Sequence, residues 1–405
     1  MSFKGIIDTT LREGQQSPLL FQTKKYRFNL EEKRILIETL IRLGVSLFEF
    51  FSPAVSDIEE KEFSELRAHV QDRGQNKIRF LAHCRCRFED IEKSVESGFS
   101  GLNLYISVSK KAVRFNYERR PVEIRKLISR IVAETRHRYP HLYLRFSVED
   151  AFLTPLEDVF QVYDRIQDSV DTLGLSDTVG VATPPLVEER VRVLKRRYSN
   201  KPLECHFHND RGLALANTIT AITNGAEFVD SSIWGLGERS GIVSTTALLL
   251  NLYHLNSRYV KNYELNLCYP LNALMESMLG LSIPYSEPVS PVNRIHVAGV
   301  HQKAVIRNKS LYEGNNLEPF GVLENRLLLG PLSGWNNIYR YLKKVKNYNI
   351  TEHQAREIAR EFKTHAYRIG ELDNPEDLLE LIARNNLMPR FSTKSCGLCS
   401  KIDKQ

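Results

Sequence analysis

The chain has 405 residues, of which 42% are apolar, 26% charged and 9% aromatic. This is the balance of a folded globular protein and excludes a disordered, collagen-like or coiled-coil chain. Lys and Arg outnumber Asp and Glu by 56 to 49, a net charge of +7 that favours anionic small substrates only weakly.

The densest basic group, Arg190, Arg192, Lys195, Arg196 and Arg197, falls in a segment of helical period without interleaved aromatics. It reads as a solvated face and argues against a nucleic-acid partner. No run approaches the ~20 apolar residues that cross a bilayer. The opening MSFKGIIDTT lacks the basic-then-apolar pattern of a secretory signal, so a cytoplasmic protein without a membrane partner is expected. Six cysteines are too few for a disulfide scaffold in a chain of this length and suit a reducing compartment. Cys396 and Cys399 form a single C-x-x-C, a weak metal or redox signal without a second pair.

In chain order, eight short β-branched or apolar runs alternate with stretches of helical period: residues 5–9, 45–50, 77–83, 102–107, 142–147, 172–177, 202–208 and 227–233. Between the first two lies NLEEKRILIETLIRLG, a helix that Asn29 can cap and Gly44 can stop, with Ile35, Leu36, Leu40 and Leu43 along one face. Eight strand and helix pairs in about 250 residues are the dimension of a closed (β/α)8 barrel, and a large doubly wound sheet is the alternative. The expected α/β organisation is a TIM barrel over 1–275, a linker and subdomain over 276–345, and a small helical C-terminal region over 346–405. Active sites of such barrels gather where strands end. Asp8, Glu49, His83, Ser107, Glu149, Asp177, His206 and His208 all fall at or just past predicted strand ends.

In ECHFHND, His206 and His208 alternate along a strand and so project to one face, where both can reach a single ion. An isolated H-x-H is also a common structural pattern. It gains weight when a carboxylate is near, and the first strand is followed at once by Arg12 and Glu13, in DTTLREGQQ. Two imidazoles and a carboxylate suit a divalent cation with open positions; Zn²⁺, Mn²⁺, Mg²⁺ and Co²⁺ are equally compatible. The glycine-rich GLGERSG, with Gly235, Gly237 and Gly241, is a turn whose backbone donors can approach phosphate or pantetheine. It has neither P-loop nor dinucleotide order.

Together, DTTLREGQQ, HFHND, LSDTVGVATP and GLGERSG resemble the metal-dependent Claisen-condensing barrels, over about residues 5 to 340. That group includes homocitrate, isopropylmalate and citramalate synthases, with hydroxymethylglutaryl-CoA lyase as a cousin. The resemblance implies a 2-oxo acid chelated by the metal, attack by the enolate of an acyl-CoA, and thioester hydrolysis. Glu13 and Ile242 are similar to the homocitrate type, in which acetyl-CoA is the co-substrate and 2-oxoglutarate the acceptor.

By the same resemblance, His83 and Arg145 hold the distal carboxylate of the acceptor. Arg offers that group a two-pronged match, although an Arg145 paired with a barrel acid is the structural alternative. The resemblance further implies Arg12 as stabiliser of the developing carbonyl charge, Gln16 and Glu49 at the substrate, and Thr178 at the carboxylate beside the ketone. Proton removal falls to Glu149 with His301 and Tyr312, which a homodimer's partner would supply to a shared site. Asn103 departs from the family's usual Asp at a position tied to lysine inhibition, and SPLLFQTKKYRF lengthens the first loop. The competing readings are the same chemistry on another 2-oxo acid, an acyl-CoA lyase, and a non-catalytic metabolite-binding paralogue.

Overall fold

The computed structural model describes residues 3–387 apart from 76, 325 and 372; Cys396 and Cys399 lie outside the described residues. Eight parallel strands close into a barrel: β1 (Gly5–Asp8), β2 (Leu47–Phe51), β3 (Arg79–Arg85), β4 (Gly101–Ser107), β5 (Tyr143–Glu149), β6 (Thr172–Asp177), β7 (Leu203–Phe207) and β8 (Phe228–Ser231). Each strand coincides with one of the apolar runs, and they pair in sequence order. β8 returns to β1 with Asp230 opposite Ile7 and Ser231 opposite Asp8.

The helix Leu30–Leu43 shows how local chemistry sets the elements. The Asn29 side chain accepts from the Glu32 amide, and the Glu32 side chain accepts from the Asn29 amide, a reciprocal cap at the N-terminus. Gly44 ends it with φ 115°, its amide donating to Leu40 and Ile41. The buried face is Leu36, Ile37, Leu40 and Leu43, whereas Ile35 is exposed. A step of about 100° per residue turns Ile35 away from Leu36 and brings Ile37 round beneath Lys33 and Leu40.

Outward strand residues pack on the helices: Phe50 of β2 and Phe80 of β3 meet Phe63, whose ring stacks on Phe99 at 3.6 Å between centroids. Many inward positions are polar, although Ile7, opposite Asp230, and Leu81, opposite Glu49, are not. Arg145 of β5 reaches Glu49 of β2 and Asp230 of β8, strands that do not adjoin β5, so these bonds cross the barrel interior. The basic group on the helix Pro184–Arg197 is locally paired: Arg192 with Glu188, Lys195 with Glu227 and Arg197 with Asp164, each at 2.7 Å. Arg190 donates to the Thr154 carbonyl at 2.8 Å. Among the described residues no helix is long and apolar enough to cross a membrane.

Two compact units divide the described residues, one comprising those up to Ser290 with Leu317–Val322, the other Pro291–Asn316 with those from Leu323 to Leu387. The boundary read from the sequence at 275 falls inside the helix Cys268–Leu279, whose Leu271 and Met275 belong to the barrel unit's core. Nor does 345 mark a division. The second unit pairs Ile295–His296 with Arg326–Leu327 and builds its own core from Ile338, Leu342, Ile358, Phe362, Leu379 and Ile382. Its helices include Gly299–Arg307, Glu352–Ile369 and Pro375–Leu387.

Candidate metal centre and active site

Strand alternation places Glu204 and His206 of β7 inward, and His208 follows just beyond the strand end, held by a bridge to Ile242. Glu13 comes from the turn after β1. Asp8 shapes that turn by accepting from the Thr10 amide at 3.0 Å and hydroxyl at 2.9 Å, and Gly14 donates back to Thr9. The ligand atoms of Glu13, His206 and His208 all lie within 4.8 Å of one another, and all three residues are buried.

The triad fits a divalent cation. His206 Nδ1 sits 3.1 Å from Asp230 Oδ2, which leaves Nε2 for an ion, and His208 Nδ1 is buried without a protein partner. Burial, with the neighbouring His206, pushes His208 down to about 3, so its ring is neutral with a free lone pair. Burial alone would raise Glu13, but Arg12 and the two histidines hold it at about 2, ionised throughout the physiological range.

The triad opens on a cavity of about 470 Å³ that Arg12, Gln16, His83, Arg145, Glu149 and Thr178 also line. Gln16 and its neighbour divide the work of the QQ pair. Gln15 is tied down, accepting from the Phe28 amide and donating to the Leu11 carbonyl, while Gln16 faces the cavity. Arg12 pairs with Glu13 and, at 2.8 Å, with Glu49.

Glu49, expected at the substrate, does not reach the cavity. It is wholly buried behind it, where Arg12, Arg145 and His83 take up its carboxylate. Burial would lift this carboxyl, but those three groups hold it well below the usual range. Arg145 shows the pairing with barrel acids that was the structural alternative, and it also borders the cavity. It lines the cavity, yet it is 1% exposed and its charge is shared with Glu49 and, at 3.0 Å, Asp230. His83 stacks on Tyr105 with centroids 3.9 Å apart, and burial together with Arg12 lowers its pKa.

Glu149 ends β5 in register with Arg145 and Ser147, all three on the cavity side. Burial, aided by the Asp150 charge, raises it to about 7, the range of a base that must be partly free at neutral pH. The Thr178 hydroxyl accepts from the Asp150 amide at 2.9 Å. Asp150 itself holds φ 52°, a left-handed conformation uncommon outside glycine that recurs at Trp234 and Arg239 in the loop after β8.

Gly235 and Gly241 adopt φ 68° and 82°, and their amides are spent inside the loop on Ser232 and Glu238. The Gly241 carbonyl accepts from Asn209, and the Glu238 amide donates to Glu13 Oε1 at 3.0 Å. A Cβ on Gly237 would stand 3.1 Å from the Glu13 side chain. The turn thus closes over Glu13 and orients its carboxylate, and the amides of Gly235 and Gly241 are committed within the loop.

His301 and Tyr312 belong to the second unit, both exposed, with ring centroids 4.1 Å apart. Ser147 and Asp230 were missed as cavity residues. The signal for Ser147 was the period-two step between Arg145 and Glu149, and for Asp230 the inward position on the eighth run.

A closed (β/α)8 barrel with a buried Glu-His-His cluster at its mouth, flanked by cationic side chains and one elevated carboxyl, has the architecture of a barrel enzyme and a donor set that suits a divalent cation. Comparison with known proteins narrows this. The HMGL-like family pattern matches residues 4–274, and the one described as homocitrate synthase post-HMGL domain-like matches 292–369. Over 361 residues the chain is 32% identical to the cytosolic isozyme of homocitrate synthase from Saccharomyces cerevisiae, covering 88% of this chain and 81% of that protein. It is 29% identical to the 2-isopropylmalate synthase of Sulfurisphaera tokodaii, covering 88% and 89%. Hydroxymethylglutaryl-CoA lyase from Pseudomonas aeruginosa shares the fold, with a TM-score of 0.57 at 19% identity over 70% of this chain and 95% of that one. The chain belongs to the HMGL-like family, on its homocitrate synthase branch, and is a condensing enzyme of the acyltransferase type.

Proposed function

We propose that the protein joins acetyl-CoA to 2-oxoglutarate, with water, releasing homocitrate and CoA. The observation that carries this reading is the meeting, in one cavity, of the Glu13-His206-His208 cluster with the His83 imidazole, the Arg145 guanidinium and the Ser147 hydroxyl, a donor set suited to a second carboxylate. A divalent cation bound by the cluster would polarise the ketone and grip the adjoining carboxylate.

The chain's own residues supply the rest. Glu149, near neutrality, takes a proton from the acetyl methyl group, and the resulting carbon attacks the ketone. Arg12, pinned between Glu13 and Glu49, presents its guanidinium to charge growing on the former carbonyl oxygen without having to reorganise. Thr178 and Gln16 orient the acceptor within the cavity. Water then cleaves the thioester, and CoA leaves.

The site is completed by a second copy of the chain, whose His301 and Tyr312 serve as the protein's further acid and base. The exposure of that ring pair, with Val300 and Leu311 exposed beside it, supports an intermolecular role. A cytoplasmic setting is supported by Cys84, Cys86, Cys205 and Cys268, all buried free thiols.

The test is release of free thiol from acetyl-CoA against a panel of 2-oxo acids, with the product identified by mass. The reading expects 2-oxoglutarate to be preferred over pyruvate, oxaloacetate and 2-oxoisovalerate. Turnover of one of these with 2-oxoglutarate inert would move the enzyme elsewhere in the family.

A further inference from the structure

Two arginines and one imidazole of the site converge on a carboxylate so far without a role. Asp230, on β8, is 2% exposed. Its Oδ2 lies 3.1 Å from His206 Nδ1 and 3.9 Å from Arg12 Nη2, and its Oδ1 accepts from Arg145 Nη1 at 3.0 Å. These partners come from β7, the turn after β1, and β5, so one side chain reaches three separate walls of the cavity.

Resting on the reading of Glu13, His206 and His208 as a cation site, we infer that Asp230 is the residue that positions it, fixing the tautomer and ring angle of His206 so that Nε2 faces the ion. A neutral imidazole carries one N–H. When Asp230 accepts that hydrogen at Nδ1, the lone pair is left on Nε2, and an ionised partner makes that lone pair a stronger donor. Flipping the ring would lose the bond to Asp230. The two histidines are therefore unequal: His206 is locked from behind, whereas His208 Nδ1 has no protein partner. The same carboxylate ties the orientation of His206 to Arg12 and Arg145, so the metal ligand and the two cationic groups of the cavity share one anchor.

Arg145 also contacts Glu49, with Glu204 Oε2 3.8 Å away, so neutralising Asp230 does not strand its charge. The near-isosteric Asp230→Asn variant is accordingly expected to fold, and it decides the matter if Asp230→Ala does not. The experiment titrates Mn²⁺ by calorimetry into the full chain after chelator treatment, and follows the visible absorption of Co²⁺ in parallel. Asp230→Ala should weaken Mn²⁺ binding about 10- to 100-fold. Asp230→Asn, which keeps the acceptor oxygen but not the charge, should lose less and should shift the Co²⁺ band.

A merely structural Asp230 would lower the unfolding temperature and leave Mn²⁺ affinity alone. Affinities of both variants within twofold of the unsubstituted chain, alongside a large loss in His206→Ala, would overturn the inference while sparing the cation site. Undiminished Mn²⁺ binding by His206→Ala and Glu13→Gln would remove the site itself, and the inference with it.

Discussion

The barrel unit and the second unit hold the candidate site residues in opposite ways. In the barrel, Arg12, Glu13, Arg145, His206 and His208 are buried, and all but His208 are gripped by charged or hydrogen-bonding neighbours. In the second unit, His301 and Tyr312 lie in the open with chiefly each other's rings for company. The difference teaches that the barrel residues are preorganised by the interior network that spans the barrel, whereas the surroundings shown for His301 and Tyr312 hold neither side chain in that way.

The comparison breaks first at the metal cluster. Glu13→Ala should lower kcat/KM by about 10³-fold or more, because a polarising cation is worth several kcal/mol. Its check is steady-state kinetics with the metal content of the variant measured alongside. Next, Glu149→Gln should cost about 10²- to 10⁴-fold in kcat. A base works deprotonated, so the unsubstituted enzyme should gain activity as pH rises through about 7, and the variant should lose that limb of the profile.

The outside half is sharpened by mixing. His301→Ala and Glu149→Gln chains, each impaired alone, should together regain activity well above either, since a mixed dimer holds one intact site. Failure to complement would place His301 in the service of its own chain. A smaller effect belongs to Arg145→Lys, which should raise KM for 2-oxoglutarate about tenfold and leave that for acetyl-CoA within twofold, because a point charge cannot replace the planar fork that binds Glu49 and Asp230 at once at the cavity wall. Smallest in its effect on activity, Gly44→Ala should cost more than about 1 kcal/mol of unfolding free energy, read by denaturant titration, with kcat unchanged, since φ 115° strains any side chain there and a Cβ would collide with the Asn262 carbonyl oxygen.

Much of the barrel was legible because the strand period is two. That single rule puts His206 and His208 on one face, and the same rule applied to β5 would have added Ser147 between Arg145 and Glu149 on the cavity side. Helical faces were read less well: Ile35 was taken for Ile37 because neighbouring apolar residues blur a 100° step.

The inner pairings were not legible at all. Glu49 looks like a substrate ligand by position, and only the closure of the barrel reveals that Arg12, His83 and Arg145 consume it. The glycine turn is ambiguous for a similar reason. Its amides look free in the sequence, and the bridge from His208 to Ile242 is what folds the loop back onto Glu13. Long-range contacts of this kind leave no trace in local spacing.

The account turns on one cation per barrel, and the most direct measurement is a titration of chelator-stripped protein with Mn²⁺, following homocitrate formation from acetyl-CoA and 2-oxoglutarate. Activity should be absent at the start, climb with added metal and level off at one equivalent per chain. Full turnover by the stripped protein would contradict it.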